Sequence, residues 1–467
     1  MGRASDAAPA TLITVLARWV AGLELRDIPA AVRYRAKRCL LDTVGVALAG
    51  SLAEVAAIVR GTAFADRASG AATVLGSERR LAAAGAALAN ATAAHALDFD
   101  DNCYAGIVHG SAVVAPAVLA MAESVGASGG DLLTAFIAGV EAEYAVGKCV
   151  TRALYDKGWF NTAVLGAIGA AAGAARILRL DQERTAQAIA LATAGTGGLR
   201  ASIGTLAKPY LAGRAAEAGV NAARHAAAGV TGPLAAFEDR RGFARLLNDG
   251  ILESAALAGL GREWSLEVPG IDFKLYPVCL SSHAAVDAVA AILAENGLCN
   301  DDVEGIECEV PELVAVNLSY DRPSSVQEAR FSLPFAVASI LAFGALRLEH
   351  LSEAVLTDAS FSTVMAKVAM RVSEGWNDDA LRARDCPEGA MVTLRTRDGR
   401  VFKRFTGSAR GTVVNPLDDD SLEAKFLDCA RHVLPAASAE ALLQRIRSVE
   451  SLPRAADLFA GVSLRNA

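Results

Sequence analysis

The sequence predicts a mainly α-helical protein, made of a large all-helical domain that is discontinuous in sequence and a smaller α+β domain. Three observations carry this. From about residue 10 to 260 the apolar residues recur with helical spacing. The texture then changes near REWSLEVPGIDFKLYP, which carries Trp264, Pro269, Gly270 and Pro277, and strand-like alternation follows. Helical periodicity returns after TGSARGTVVNPLDDD. The expected division is 1–268 for the first part of the helical domain, 269–406 for the α+β domain and 407–467 for a helical return.

Each element has a local reason. TLITVLARWVAGLEL reads as an amphipathic helix interrupted by Arg18, without the layout of a signal peptide. IPAAVRYRAKRCLLDTVGVALAG, DLLTAFIAGVEAEYAVGKCV and ERTAQAIALATAGTGGL keep helical spacing, with Ala and Gly at the buried positions, so their helices can approach closely. In KPYLAGRAAEAGVNAARHAAAG, Pro209 suits a first helical turn and Gly229 a C-terminal cap. GIECEV alternates as a strand, and AMVTLRTRDGRVFKRF reads as a hairpin turning at Asp398-Gly399. SSHAAVDAVAAILAEN and FSLPFAVASILAFGAL are helical stretches between them. The final helices, SLEAKFLDCARHVL and SAEALLQRIRSVESL, are expected to pack back on the first domain. A seam between two such domains is a natural place for a pocket.

Composition narrows the function. The chain has 467 residues, 53% of them hydrophobic, and a formal charge of −7. Mild acidity without a basic block argues against nucleic acid or an anionic membrane as a partner, and leaves small anionic substrates open. Eight scattered cysteines form no C-x-x-C pair, so zinc-ribbon and common cluster spacings are missing, and buried free thiols are the simple reading. Apolar runs such as GAIGAAAGAARIL are too short to span a bilayer. A soluble cytoplasmic protein is expected.

Chemistry concentrates in three stretches. In HALDFDDNCYAGIVHGS, Asp98, Asp100 and Asp101 precede a turn with Asn102 and Gly106, and His109 stands before an apolar helix that Ser111 can cap. A histidine beside a helix N-terminus sits in positive potential, which favours a bound anion and the neutral imidazole a general base requires. The blander reading has the aspartates capping helices and His109 closing a loop; metal binding matches no named spacing. Lys208 stands at a helix start, where its ammonium and the backbone N–H groups can hold a carboxylate, or it is simply solvated; Arg214 is expected to pair with Glu217. In DFKLYPVCLSSHAAVDA, Lys274 lies near Tyr276, Cys279, Ser281, Ser282 and His283, and either serine can cap the helix carrying Asp287. A serine hydrolase is disfavoured because no G-x-S-x-G elbow is present, and Cys279 reads more simply as structural than as a nucleophile. With no dinucleotide, P-loop or pyridoxal motif, the set suits cofactor-free proton abstraction next to a carboxylate.

These stretches, with GVTGPLAAFEDRRGF and EARFSLPFAVASIL, resemble in order the signature segments of the MmgE/PrpD family, from about residue 10 to 430. The family includes 2-methylcitrate dehydratases, cis-aconitate decarboxylases and iminodisuccinate epimerases. The resemblance implies a homodimer without metal or iron–sulfur cluster and a small di- or tricarboxylate substrate. A hydro-lyase of the 2-methylcitrate dehydratase type is the leading expectation, with an epimerase, a decarboxylase and a catalytically silent carboxylate-binding protein as alternatives. It also implies that His109 is the acid–base residue, oriented by Asp98, that Lys208 and Lys274 bind carboxylates and steady developing charge, and that His283, Asn102, Tyr104 and Ser282 help bind substrate. Two departures bear on this. His109-Gly110-Ser111 stands where the family usually has His-Pro-Ser, and Phe160-Asn161-Thr162 stands where it commonly has a second catalytic histidine. Phenylalanine carries no proton to transfer, so Tyr104, Tyr155 or Asn161 would fill that role, or the reaction differs.

Overall fold

The computed structural model describes residues 10–376 and 386–465. Its first part is helical, with the major helices Leu12–Gly22, Ala30–Gly50, Glu54–Asp66, Ala83–His95, Gly110–Val125, Gly129–Val150, Asn161–Ile177, Gln182–Ala194 and Ala207–Ala227. Several starts are set by side chains that accept otherwise unsatisfied N–H groups. Thr11 accepts from Thr14, Asp181 from Arg184, and Ser128 and Asp131 form a reciprocal capping box.

Small residues determine how closely these helices lie. A Cβ on Gly139 would fall 2.6 Å from Val114 Cγ1 and 2.8 Å from the Gly169 carbonyl oxygen, so three helices meet there almost backbone to backbone. Adding even one methyl group would force them apart, at a cost of about 1–3 kcal/mol. The Ala207–Ala227 helix packs along both Ala83–His95 and Asn161–Ile177, which brings the start of the first, the end of the second and the start of the third into one region.

One apolar core gathers residues from Leu12 to Phe273 and resumes with Leu417 to Phe459. The late helices Asp419–Arg431 and Ala436–Arg447 accordingly pack on Ala30–Gly50. A second core, from Val278 to Ala409, belongs to a four-stranded sheet and its helices His283–Asn296 and Leu333–Phe343. The strand order is Val368–Val372, Val303–Val310, Ala390–Thr396, Val401–Thr406; the first pair is parallel and the others antiparallel. Val303, Ile306, Cys308 and Val310 face the core between more exposed neighbours, the alternation read from the sequence. The Ala390–Thr406 hairpin turns at Asp398-Gly399, with Gly399 at φ 86°.

Some local expectations change. The Ala207–Ala227 helix begins two residues before Pro209, and Glu217 pairs with Arg67 at 2.7 Å rather than with Arg214. His109, not Ser111, is the N-cap of Gly110–Val125, and that helix runs through Pro116. Among the described residues no single helix is long and apolar enough to cross a membrane; Ala30–Gly50 and Glu54–Asp66 pass by length and composition only as a pair bent by 86°.

Candidate active site

A cavity of about 90 Å³, several times the space one water needs, opens where the two cores meet. Its wall takes Asp98, Asn102, Tyr104, His109, Tyr155, Phe160 and Lys208 from the helical side, and Cys279, Ser281, Asn317, Phe331 and Glu388 from the other; Lys274 lies at the junction.

The loop between helices Ala83–His95 and Gly110–Val125 supplies most of the chemistry. It is pinned at several points. Asn102 and Asp272 exchange backbone hydrogen bonds at 2.9 Å, and Cys103 pairs with Val108. The side chains of Asn161 and Thr162 hold the Gly106 carbonyl and the His109 N–H at 2.7 and 3.1 Å. Gly110 is required by its surroundings: a Cβ there would lie 2.8 Å from Tyr144 Oη and 3.1 Å from Glu143 Oε2. Both are buried side chains of the neighbouring helix, which gives a physical reason for glycine after His109 in this chain.

Asp98 has left-handed backbone, φ 52°, a region tolerated by Asp better than by most residues. That twist turns its carboxylate and its carbonyl toward the same ammonium. Lys274 Nζ donates to Asp98 Oδ2 at 2.8 Å and to the Asp98 carbonyl at 2.9 Å, while Lys208 donates to Oδ1. All three side chains are buried. Burial alone would raise the Asp98 carboxyl, but the two ammonium charges outweigh it and hold it far below the usual range. One aspartate against two lysines leaves a net positive charge for an incoming anion. Lys208 also lies 5.0 Å over the Phe331 ring and 5.9 Å from that of Phe160. Behind this group, buried Arg330 donates to the Leu97 carbonyl at 3.0 Å.

His109 is not oriented by Asp98, contrary to expectation. Its Nδ1 meets the Asp101 carbonyl at 2.8 Å and Asp100 Oδ2 at 3.2 Å. A carbonyl oxygen only accepts, so Nδ1 carries the proton and Nε2 keeps the lone pair that can exchange one. Asp100 also accepts from His95 Nδ1 at 2.7 Å, and thus sits between two imidazoles. Burial pushes His95 down to about 4, so it stays neutral. Its ring lies 4.7 Å from that of His109 and stacks on Phe160 at 5.7 Å. Phe160 therefore packs beside a histidine from another helix, and Asn161, tied to Gly106, does not join the lining; Tyr104 and Tyr155 do. His95, Asp100 and His109 have ligand chemistry and lie within 4.8 Å of one another. The proton required on His109 Nδ1 by the Asp101 carbonyl is incompatible with metal coordination through that atom.

Two expected binding residues lie behind the wall. Ser282 donates to the Cys279 carbonyl at 2.8 Å and does not cap the following helix, and His283 pairs through Nε2 with the Val278 carbonyl at 3.2 Å. Cys279 lines the cavity, but burial and the Asp98 charge push its thiol up to about 11, which disfavours a nucleophilic role. Sequence reasoning missed the pairing of Asp100 with His95 and the rim built on Glu388. There Tyr104 and Ser281 donate to the two Glu388 oxygens, Asn317 donates to Ser281 at 3.0 Å, and Tyr155 donates to Asn317 at 2.8 Å. The helix end at His95 was the available signal for the first; nothing local points to Glu388.

Comparison with known proteins identifies the family. The chain is 28% identical over 445 residues to a human cis-aconitate decarboxylase, covering 92% of this chain and 90% of the relative. A cis-aconitate decarboxylase-like protein of Aspergillus oryzae is 26% identical over 485 residues, with 98% and 99% covered, and a cis-aconitate decarboxylase of Aspergillus terreus is 24% identical over 470 residues, with 96% and 94% covered. The MmgE/PrpD N-terminal domain matches residues 14–253 and the MmgE/PrpD C-terminal domain residues 276–451, and the chain belongs to the MmgE/PrpD family.

Proposed function

We propose that this protein is a carboxy-lyase for a small carboxylic acid, with Lys208 and Lys274 holding carboxylate and His109 delivering the proton. The observation that carries this is a proton-exchanging imidazole in the wall of a cavity whose buried lysine–aspartate cluster retains one positive charge. In decarboxylation the C–C bond to the departing CO₂ breaks and its electron pair stays on carbon. A neighbouring carboxylate or carbonyl spreads that charge as an enolate, which an ammonium steadies. His109 Nε2, once it has taken a proton from solvent to give the imidazolium, delivers that single proton to complete the product, and solvent reloads it for the next turnover. Asp100, 3.2 Å from Nδ1, stabilises that imidazolium while His95 stays neutral. The likeness to cis-aconitate decarboxylases supports the reaction type.

A second reading, dehydration of a hydroxy acid, is favoured by Tyr104 and Tyr155. Both phenols are raised, Tyr155 to about 12, so they stay protonated in the wall that holds His109, and a leaving hydroxyl would draw its proton from a phenol now bonded to Glu388 or Asn317. A panel of small di- and tricarboxylates separates the readings. Decarboxylation releases CO₂. Dehydration gives an unsaturated, ultraviolet-absorbing product of the same carbon count, and epimerisation exchanges solvent deuterium without either. His109→Gln is expected to lower kcat by about 10²–10⁴ while acid binding persists. An unchanged rate would remove His109 from the mechanism.

A further inference from the structure

The two ends of the cavity differ in charge and in hydrogen-bonding sense. At one end Lys208 and Lys274 outnumber Asp98. At the rim stands Glu388, whose Oε1 accepts from Ser281 at 2.6 Å and whose Oε2 accepts from Tyr104. A carboxylate only accepts, so it fixes the direction of every bond behind it. Ser281 spends its proton on Glu388 and therefore accepts from Asn317 Nδ2, and the Asn317 carbonyl oxygen accepts from Tyr155. The hydroxyl protons of Tyr104, Tyr155 and Ser281 are thus committed to the network, and the rim turns mainly oxygen lone pairs toward the cavity.

Charge arithmetic points the same way. The lining lysines bring two positive charges, and Asp98 and Glu388 bring two negative ones. Between the two ends the wall is largely apolar, with Ile107, Phe160, Ile203, Leu280, Leu313 and Phe331, and its polar groups are Asn102, His109 and Thr162. The lysine end keeps one net positive charge, which balances one carboxylate, and its two ammonium groups can donate hydrogen bonds to a second. At the rim a further carboxylate would face the Glu388 charge and hydroxyls whose protons are already committed to other partners.

We propose that Glu388 sets substrate choice: the site takes a mono- or dicarboxylate whose far end is neutral or donates a hydrogen bond, such as a hydroxyl or amine, and excludes a third carboxylate. This rests on the reading that the lysine end binds carboxylate. It separates this chain from a tricarboxylate-consuming enzyme of the same architecture.

The test is calorimetric binding of malate, succinate and tricarballylate to the full-length protein and to E388Q, which keeps the size of the side chain. The wild type is expected to bind malate at least tenfold more tightly than tricarballylate, and E388Q to narrow that ratio by tenfold or more, with succinate changing least. A wild-type preference for tricarballylate, or a ratio unchanged within twofold in E388Q, would overturn the role of Glu388 while leaving the carboxylate reading intact. No binding of any of the three acids would sink the carboxylate reading, and this inference with it. The wild-type ratio alone decides the case if E388Q does not fold.

Discussion

Asp98 and Asp100 stand two residues apart, both buried, each held between two basic side chains, yet the two arrangements do different work. Asp98 lies between two lysines, one carboxylate against two ammonium groups, so its cluster is a net cation. Asp100 lies between imidazoles, each able to take or release a proton near neutrality in water. Burial then breaks that symmetry. His95 is sealed and held neutral, whereas His109 retains 15% of its side-chain exposure at the cavity. The same acid thus serves as an electrostatic anchor in one setting and as the counter-charge of a proton carrier in the other. The partner's chemistry makes the difference.

The largest effect should come from the anchor. Asp98→Asn leaves two buried ammonium groups without their counter-charge, and removal of one partner from a buried pair costs about 3–5 kcal/mol. Urea denaturation should show that loss, and the folded fraction should be inactive. A wild-type midpoint would mean that the lysines reach solvent, and the comparison would collapse.

Asp100→Asn should do less, and differently. The amide oxygen can still accept one N–H, so His95 and His109 keep much of their packing while the counter-charge for an imidazolium is lost. The expected outcome is a kcat lower by about 10–100-fold with KM within a few-fold of wild type, because the lysine end is untouched. A parallel rise in KM would show that Asp100 shapes the binding end as well, and the two aspartates would no longer be separable.

Legibility in the sequence followed the range of the interactions. Helix spacing, the alternation of 305–310 and the Asp398-Gly399 turn are local features, and the structure contains each of them. The loop from His95 to Ser111 stood out because acids and histidines interrupt an Ala/Val/Gly background. Which acid meets which base was not legible. Asp98 finds Lys208 and Lys274 at separations of 110 and 176 residues, and no local spacing announces either partner. His283 and Ser282 looked like binding groups by adjacency to Lys274, but the helix start turns them behind the wall. Phe160 read as a missing histidine; in the fold its ring lies against His95, a neighbour invisible without the packing of helices.

The smallest predicted effect tests whether burial silences His283 as it does His95. His283 donates through Nε2 to the Val278 carbonyl, and its buried Nδ1 has no partner among the described residues to receive a second proton's hydrogen bond. Burial, with the Lys274 charge adding to it, pushes the ring down to about 3, against about 6.5 in an unfolded chain. Between those values the unfolded chain binds a proton that the folded one refuses, so stability must fall as pH is lowered from about 6.5. Each such histidine contributes a slope of up to about 1.4 kcal/mol per pH unit, and His95 contributes another down to about 4. Asp272, pushed up to about 7, gives a slope of opposite sign, but it is common to wild type and variant and cancels between them. His283→Gln should be less stable at pH 8 through lost packing, yet its stability should fall less steeply between pH 6 and 5, by about one proton's worth. Urea midpoints measured across that range would show the two curves converging toward acid. Parallel curves would mean that His283 takes its proton in the folded protein, and that burial alone does not separate silent imidazoles from the working one.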